Sequence, residues 1–115
     1  MTVKKYLPLL AVTASLFGAS AAGANAVVDG ANQKMTLDCK GGPAVIDGAY
    51  NDVVFTGVCT SLKIDGAYNK IKITLKPGAS VFVDGAYNEI MWRSEGKEKP
   101  RVSVDGAGNR ILRSK

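Results

Sequence analysis

Five aspartates and three tyrosines recur along the chain at spacings that could do chemistry, and no histidine stands beside them. The aspartates are Asp29, Asp47, Asp65, Asp84 and Asp105, each followed by Gly-Ala. Paired carboxylates can carry out general acid–base work such as glycoside hydrolysis, which needs one carboxyl protonated and the other ionised. Equivalent aspartates in equivalent repeats do not supply those two environments. The lack of histidine removes histidine acid–base chemistry and Ser-His nucleophilic sites. The sequence therefore points to no catalytic residue, no enzyme activity and no cofactor.

Two readings of the aspartate column remain. It could bind calcium, a hard ion that prefers oxygen ligands, or each aspartate could cap its own turn by accepting backbone amide hydrogens. Like charges about 5 Å apart in water repel by roughly 0.8 kcal/mol, whereas a hydrogen bond to a charged group returns roughly 1.5–3 kcal/mol. Capping alone can hold the column together, so the expectation is turn aspartates and no metal.

Tyr50, Tyr68 and Tyr87 follow the Gly-Ala pairs and should project outward. Three stacked rings on one edge could be a platform for sugar rings or for a partner's apolar strip, or could stack on each other and stiffen a corner. Asn32 and Gly108 occupy the same place in the first and last copies, which confines the platform to the middle of the chain.

The element that positions these residues is a repeat. Ile64-Asp65-Gly66-Ala67-Tyr68-Asn69-Lys70-Ile71 recurs nearly letter for letter around Gly48 and Gly85, and in weaker copies around Gly30 and Gly106. A period of 18 to 21 residues signals stacked units that cannot bury a core alone. Apolar residues alternate with polar ones, as in Ile71, Ile73 and Leu75 between Lys70, Lys72, Thr74 and Lys76, which is strand periodicity. Each repeat reads as strand, Gly-Ala-Tyr turn, strand and second turn. The fold expected is all-β, a short single-stranded parallel β-helix (β-solenoid) of about five coils.

Stacking turns each aligned position into a ladder. The inward columns are Val28, Ile46, Ile64, Val83, Val104 and Met35, Val53, Ile71, Ile90, Ile111, thickened by Leu37, Phe55, Ile73 and Trp92. By parity Gln33, Asn51, Asn69, Asn88 and Asn109 also point inward, where stacked amides can donate to one coil and accept from the other. The outward column Lys34, Asp52, Lys70, Glu89, Arg110 alternates in sign and should form cross-strand ion pairs worth at most about 1 kcal/mol each.

Met1 to Ala26 has the pattern of an export signal: Lys4 and Lys5, an apolar run from Leu7 to Phe17, then Ala24-Asn25-Ala26 as a cleavage site. The run is short for a membrane span. The expected mature domain is Val27 to Lys115, periplasmic or extracellular, with thirteen basic and ten acidic residues. Cys39 and Cys59, about one coil apart, are expected to form a disulfide in that compartment. A metal or redox pair is the weaker reading, without histidine or Cys-x-x-Cys. Ser94 to Arg101 is a charged insertion that reads as a corner loop, and the polar tail from Leu112 to Lys115 could blunt the open edge of the last coil.

Cys39, Cys59, the Gly-Ala-Tyr-Asn copies flanked by Val or Ile, and Trp92 resemble a bacterial family catalogued as domain of unknown function 3060. The likeness runs from about Cys39 to Ile111. It implies an exported β-solenoid-like protein and implies no chemistry. This chain departs from the family in its Asp-Gly-Ala-Tyr-Asn turns, where a Gly-Ser-Asn-Asn type is more usual.

The functional expectation is a non-enzymatic structural or interaction module at the cell envelope. The alternatives are a carbohydrate-binding module using the tyrosine ladder and a self-assembling protein whose coil ends stack into fibres. Partners would be an unknown protein, an envelope polysaccharide or a second copy. Interleaved charge and export argue against nucleic acid.

Overall fold

Alternating side chains and a turn glycine in every repeat give strands that must pair with their own copies. The computed structural model describes residues 26–114, and these form nine strands with no helix. They are β1 (Ala26–Ala31), β2 (Lys34–Asp38), β3 (Pro43–Ala49), β4 (Asp52–Thr56), β5 (Cys59–Ala67), β6 (Lys70–Ala86), β7 (Glu89–Ser94), β8 (Arg101–Ala107) and β9 (Arg110–Arg113). Every pairing is parallel. One ladder stacks β1, β3, β5, the second half of β6 and β8; the other stacks β2, β4, the first half of β6, β7 and β9. The chain is a β-solenoid of about five coils. The export signal expected over Met1–Ala26 lies outside the described residues except for Ala26, which opens β1 opposite Ala44.

The register joins each repeat to the next at the same letter. Val28 pairs with Ile46, Ile46 with Ile64, Ile64 with Val83 and Val83 with Val104. On the other ladder Met35 meets Val53, Val53 meets Ile71, Ile71 meets Ile90 and Ile90 meets Ile111. Ala44, Leu62 and Val81 add a buried column, and Phe55, Ile73 and Trp92 another. A slip of one residue would turn every one of these side chains out to water, so burial itself fixes the register. The core thins at the last coil, where Val102 and Val104 are 46% and 44% exposed.

Two details depart from expectation. The second turn of the third coil is not a break: β6 runs through Pro77 and Gly78 as a single bent strand, with Gly78 at φ +76°. The alternating charge column is in register, with Lys34 beside Asp52, Asp52 beside Lys70, Lys70 beside Glu89 and Glu89 beside Arg110. Yet none of these pairs closes to an ion pair among the described residues. Long exposed side chains gain little from a fixed contact in water and lose rotamer freedom by making one.

Cys39 and Cys59 are joined in a disulfide, with Cα atoms 5.4 Å apart and both residues buried at the corner beside Leu75. The bond closes a loop across a sequence separation of 20, which in the chain-entropy account stabilises by about 3 kcal/mol. Reduction, or the double substitution Cys39→Ser and Cys59→Ser, is expected to lower the unfolding midpoint by roughly 12–24 °C for a domain this small. Thermal melts with and without reductant measure it. An unchanged midpoint would show that the stack does not depend on the bond.

Candidate functional site

The Asp-Gly-Ala-Tyr-Asn turn is one device repeated along the axis. Gly48, Gly66, Gly85 and Gly106 lie at φ between +133° and +148°, where glycine alone is at ease. A Cβ on Gly66 would overlap the carbonyl oxygen of Gly48. That same oxygen accepts a hydrogen bond from Asn69 Nδ2 at 3.0 Å. The missing side chain lets the turns approach closely enough for the amide of one coil to reach the glycine carbonyl of the coil before.

The amides then form a directed ladder. Asn51 donates from its backbone N and from Nδ2 to Asn69 Oδ1, at 3.1 and 3.0 Å. Asn69 does the same to Asn88, and Asn88 to Asn109. Each Oδ1 thus takes two protons from the preceding coil, while Nδ2 also reaches a glycine carbonyl. Asn51, Asn69 and Asn88 are each 1% exposed, and this bonding is what lets them be buried. Gln33 enters the ladder through its backbone N–H, which donates to Asn51 Oδ1, and its Nε2 turns back to Asp29 O in its own coil.

The tyrosines project into solvent, with exposures of 58%, 49% and 57% for Tyr50, Tyr68 and Tyr87. All three, like Asn32, sit at φ between +57° and +60°, a left-handed conformation that is uncommon for a bulky residue. Their backbone N–H groups donate to the alanine carbonyls of the next coil at 3.0–3.1 Å, which holds them there. The rings stack face to face, Tyr50 on Tyr68 at 5.0 Å and Tyr68 on Tyr87 at 5.2 Å between centroids. Tyr87 in turn lies over Gly108, where an added Cβ would come within 2.6 Å of the ring. Mutual stacking therefore occupies most ring faces, and the edges and hydroxyls form the exposed strip.

Asp29, Asp47, Asp65, Asp84 and Asp105 stand exposed in one in-register row. Among the described residues no hydrogen bond holds any of these carboxylates, so they are not turn caps. The amides they were expected to cap are already engaged across coils, as Tyr68 N is to Ala86 O and Asn69 N to Asn88 Oδ1. The described residues also contain no cluster of metal-ligating side chains. A shallow trough of about 570 Å³ runs along the Asp-Gly-Ala triplets of the first three coils. The face as a whole presents a carboxylate row, this small-residue trough and the stacked tyrosines.

Arg113 is the main residue that sequence reasoning missed. It takes the inward place in the last coil that Trp92 takes in the one before, and its guanidinium lies 5.2 Å from the indole centroid. The signal was present: Arg113 follows Ile111 by two, as Trp92 follows Ile90. A charged residue in this column reads as tail, and Arg113 is exposed, because the end of a stack has no next coil to bury it.

No curated protein and no solved structure matches the chain. A family model does match, over residues 46–108, a span that holds the three tyrosine turns, Cys59 and Trp92. On that match the chain belongs to the family described as protein of unknown function (DUF3060).

Proposed function

We propose that the protein is an exported, non-enzymatic interaction module of the cell envelope that works by displaying a periodic surface. The observation that carries this reading is the in-register Asp-Gly-Ala-Tyr face, in which one set of groups repeats along the axis at coil spacing. A periodic surface suits a periodic partner, because each added repeat of the polymer meets the same groups again. Ring spacings of 5.0 and 5.2 Å favour an extended polysaccharide, with tyrosine edges and hydroxyls against sugar rings and the aspartates accepting from sugar hydroxyls. The leader pattern and the disulfide support an oxidising compartment outside the cytoplasm.

Fibre formation through the coil ends is the less favoured reading. Stacking the last coil of one copy on the first coil of another would set Arg110 against Lys34. Like charges directly opposite are unfavourable.

Retention of the protein on purified cell-wall and polysaccharide preparations tests the reading, beside a variant with Tyr50, Tyr68 and Tyr87 all changed to asparagine. Asparagine is the replacement the backbone asks for, since Asn32 already holds the same conformation. The variant should lose about 1–3 kcal/mol of stability from its two ring pairs yet stay folded. Wild type retained and variant released is the expected result. Equal retention of both would remove the tyrosine edge from the binding face.

A further inference from the structure

We infer that the cleft between Arg93 and Arg113, at the C-terminal end of the solenoid, binds a phosphate ester. Charge is segregated along the chain. Residues 93–115 hold seven basic and three acidic side chains, whereas residues 26–92 hold six and seven. Within the basic end, Arg93, Ser94, Arg113 and Ser114 line a cleft of about 420 Å³. Neither guanidinium has a carboxylate partner among the described residues.

The site is partly preorganised. Stacking on Trp92 fixes Arg113. Ser114 N–H donates to the Trp92 carbonyl at 2.6 Å, which sets the strand end that carries both residues. Ser94 Oγ accepts from Gly96 N–H at 3.3 Å, so its hydroxyl hydrogen remains free to donate. Two guanidinium forks and two hydroxyls offer more donors than one carboxylate can accept, whereas a phosphate group has oxygens for all of them. A second cleft of about 180 Å³ shares Arg93 and Ser114 and is lined further by Val54, Lys72 and Met91. It has room for the organic part of an ester, with Lys72 beside it. This site shares no residue with the tyrosine face.

Trp92 is the only tryptophan, so its fluorescence reports on the cleft directly. The purified protein is titrated at constant ionic strength with inorganic phosphate, glycerol 3-phosphate and acetate. Both phosphates should give a saturable change, the ester at lower concentration, and acetate should give none. Arg93→Gln, which leaves Trp92 and its stacked partner in place, should weaken phosphate binding roughly tenfold or more without moving the unfolding midpoint. Arg101→Gln makes the same charge change elsewhere on the same end and should stay within about twofold of wild type. Co-sedimentation with phosphatidic acid vesicles distinguishes the sources. Binding there places the ester on a lipid headgroup, and binding of the soluble ester alone makes it a soluble compound. No saturable response to either phosphate would overturn the site, as would acetate acting equally well or the two arginine variants behaving alike.

Discussion

Gly66→Ala is expected to cost the protein more than about 4 kcal/mol of stability. The position combines two penalties that act together. Its φ of +148° lies where an L side chain is strained, and the new Cβ would overlap the Gly48 carbonyl oxygen. Relief by backbone movement is blocked on both sides, because Gly66 is paired with Gly48 below and with Gly85 above. Pushing one turn away would also break the Asn69 Nδ2 bond to Gly48 O. A loss above about 4 kcal/mol follows from such a clash. A domain of this size has in total about 4–13 kcal/mol of stability. Gly41→Ala is the control: φ is +76°, nothing lies within 4 Å of the added carbon, and only the conformational cost of about 1–2 kcal/mol applies. Circular dichroism with urea titration of both variants decides the matter. If Gly66→Ala unfolds at no lower urea than Gly41→Ala, close turn packing is not what holds the coils together.

That contrast shows what was legible in the sequence and what was not. The eight-letter copies around Gly48, Gly66 and Gly85 already encode the coil, because a residue type that recurs at coil spacing must stack on itself. Alternation then says which letters face in. The two ladders and their register follow from that arithmetic, down to Ile64 over Ile46. What one coil does with its polar groups did not follow. The aspartates read as turn caps because a turn viewed alone has free amides, and in the stack the next coil takes those amides first. The charge column read as ion pairs because the signs alternate, but sign is fixed by sequence while contact depends on solvent. The tyrosines read either as a platform for a ligand or as a self-stacked corner; in the structure the left-handed backbone at Tyr50, Tyr68 and Tyr87 lays ring on ring, and what stays exposed for a ligand is the edges. The cleft at Arg93 and Arg113 was illegible for a further reason: it draws on the end of the stack, where the repeat stops being a guide.

Asn69→Ala should cost about 4 kcal/mol, while Gln33→Ala should cost no more than about 1 kcal/mol. Asn69 Oδ1 receives the backbone N–H and the Nδ2 of Asn51, and its own Nδ2 serves Gly48 O and Asn88 Oδ1. Truncation strips the partner from a buried backbone N–H, from one buried amide hydrogen and from the side-chain bond to a glycine carbonyl. Each such loss costs roughly 1–3 kcal/mol where water cannot enter. Gln33 sits half-buried at the ladder's end and makes a single 3.3 Å bond to Asp29 O, so its removal orphans little. Asn69→Asp separates the donor from the shape. It keeps the acceptor oxygen but puts a second oxygen, in place of Nδ2, against Gly48 O and Asn88 Oδ1, and the protonated acid can still donate there where the carboxylate cannot. Its folded-state pKa must then lie above the unfolded value of ~3.9. Its deficit relative to wild type is smallest below that value and grows as pH rises through the folded pKa. Unfolding midpoints of wild type, Asn69→Ala, Asn69→Asp and Gln33→Ala between pH 3 and 7 test the set. Equal losses for Gln33→Ala and Asn69→Ala would mean that the amides stabilise by filling space. A deficit for Asn69→Asp that ignored pH would mean the donated proton is not what the ladder transmits from coil to coil.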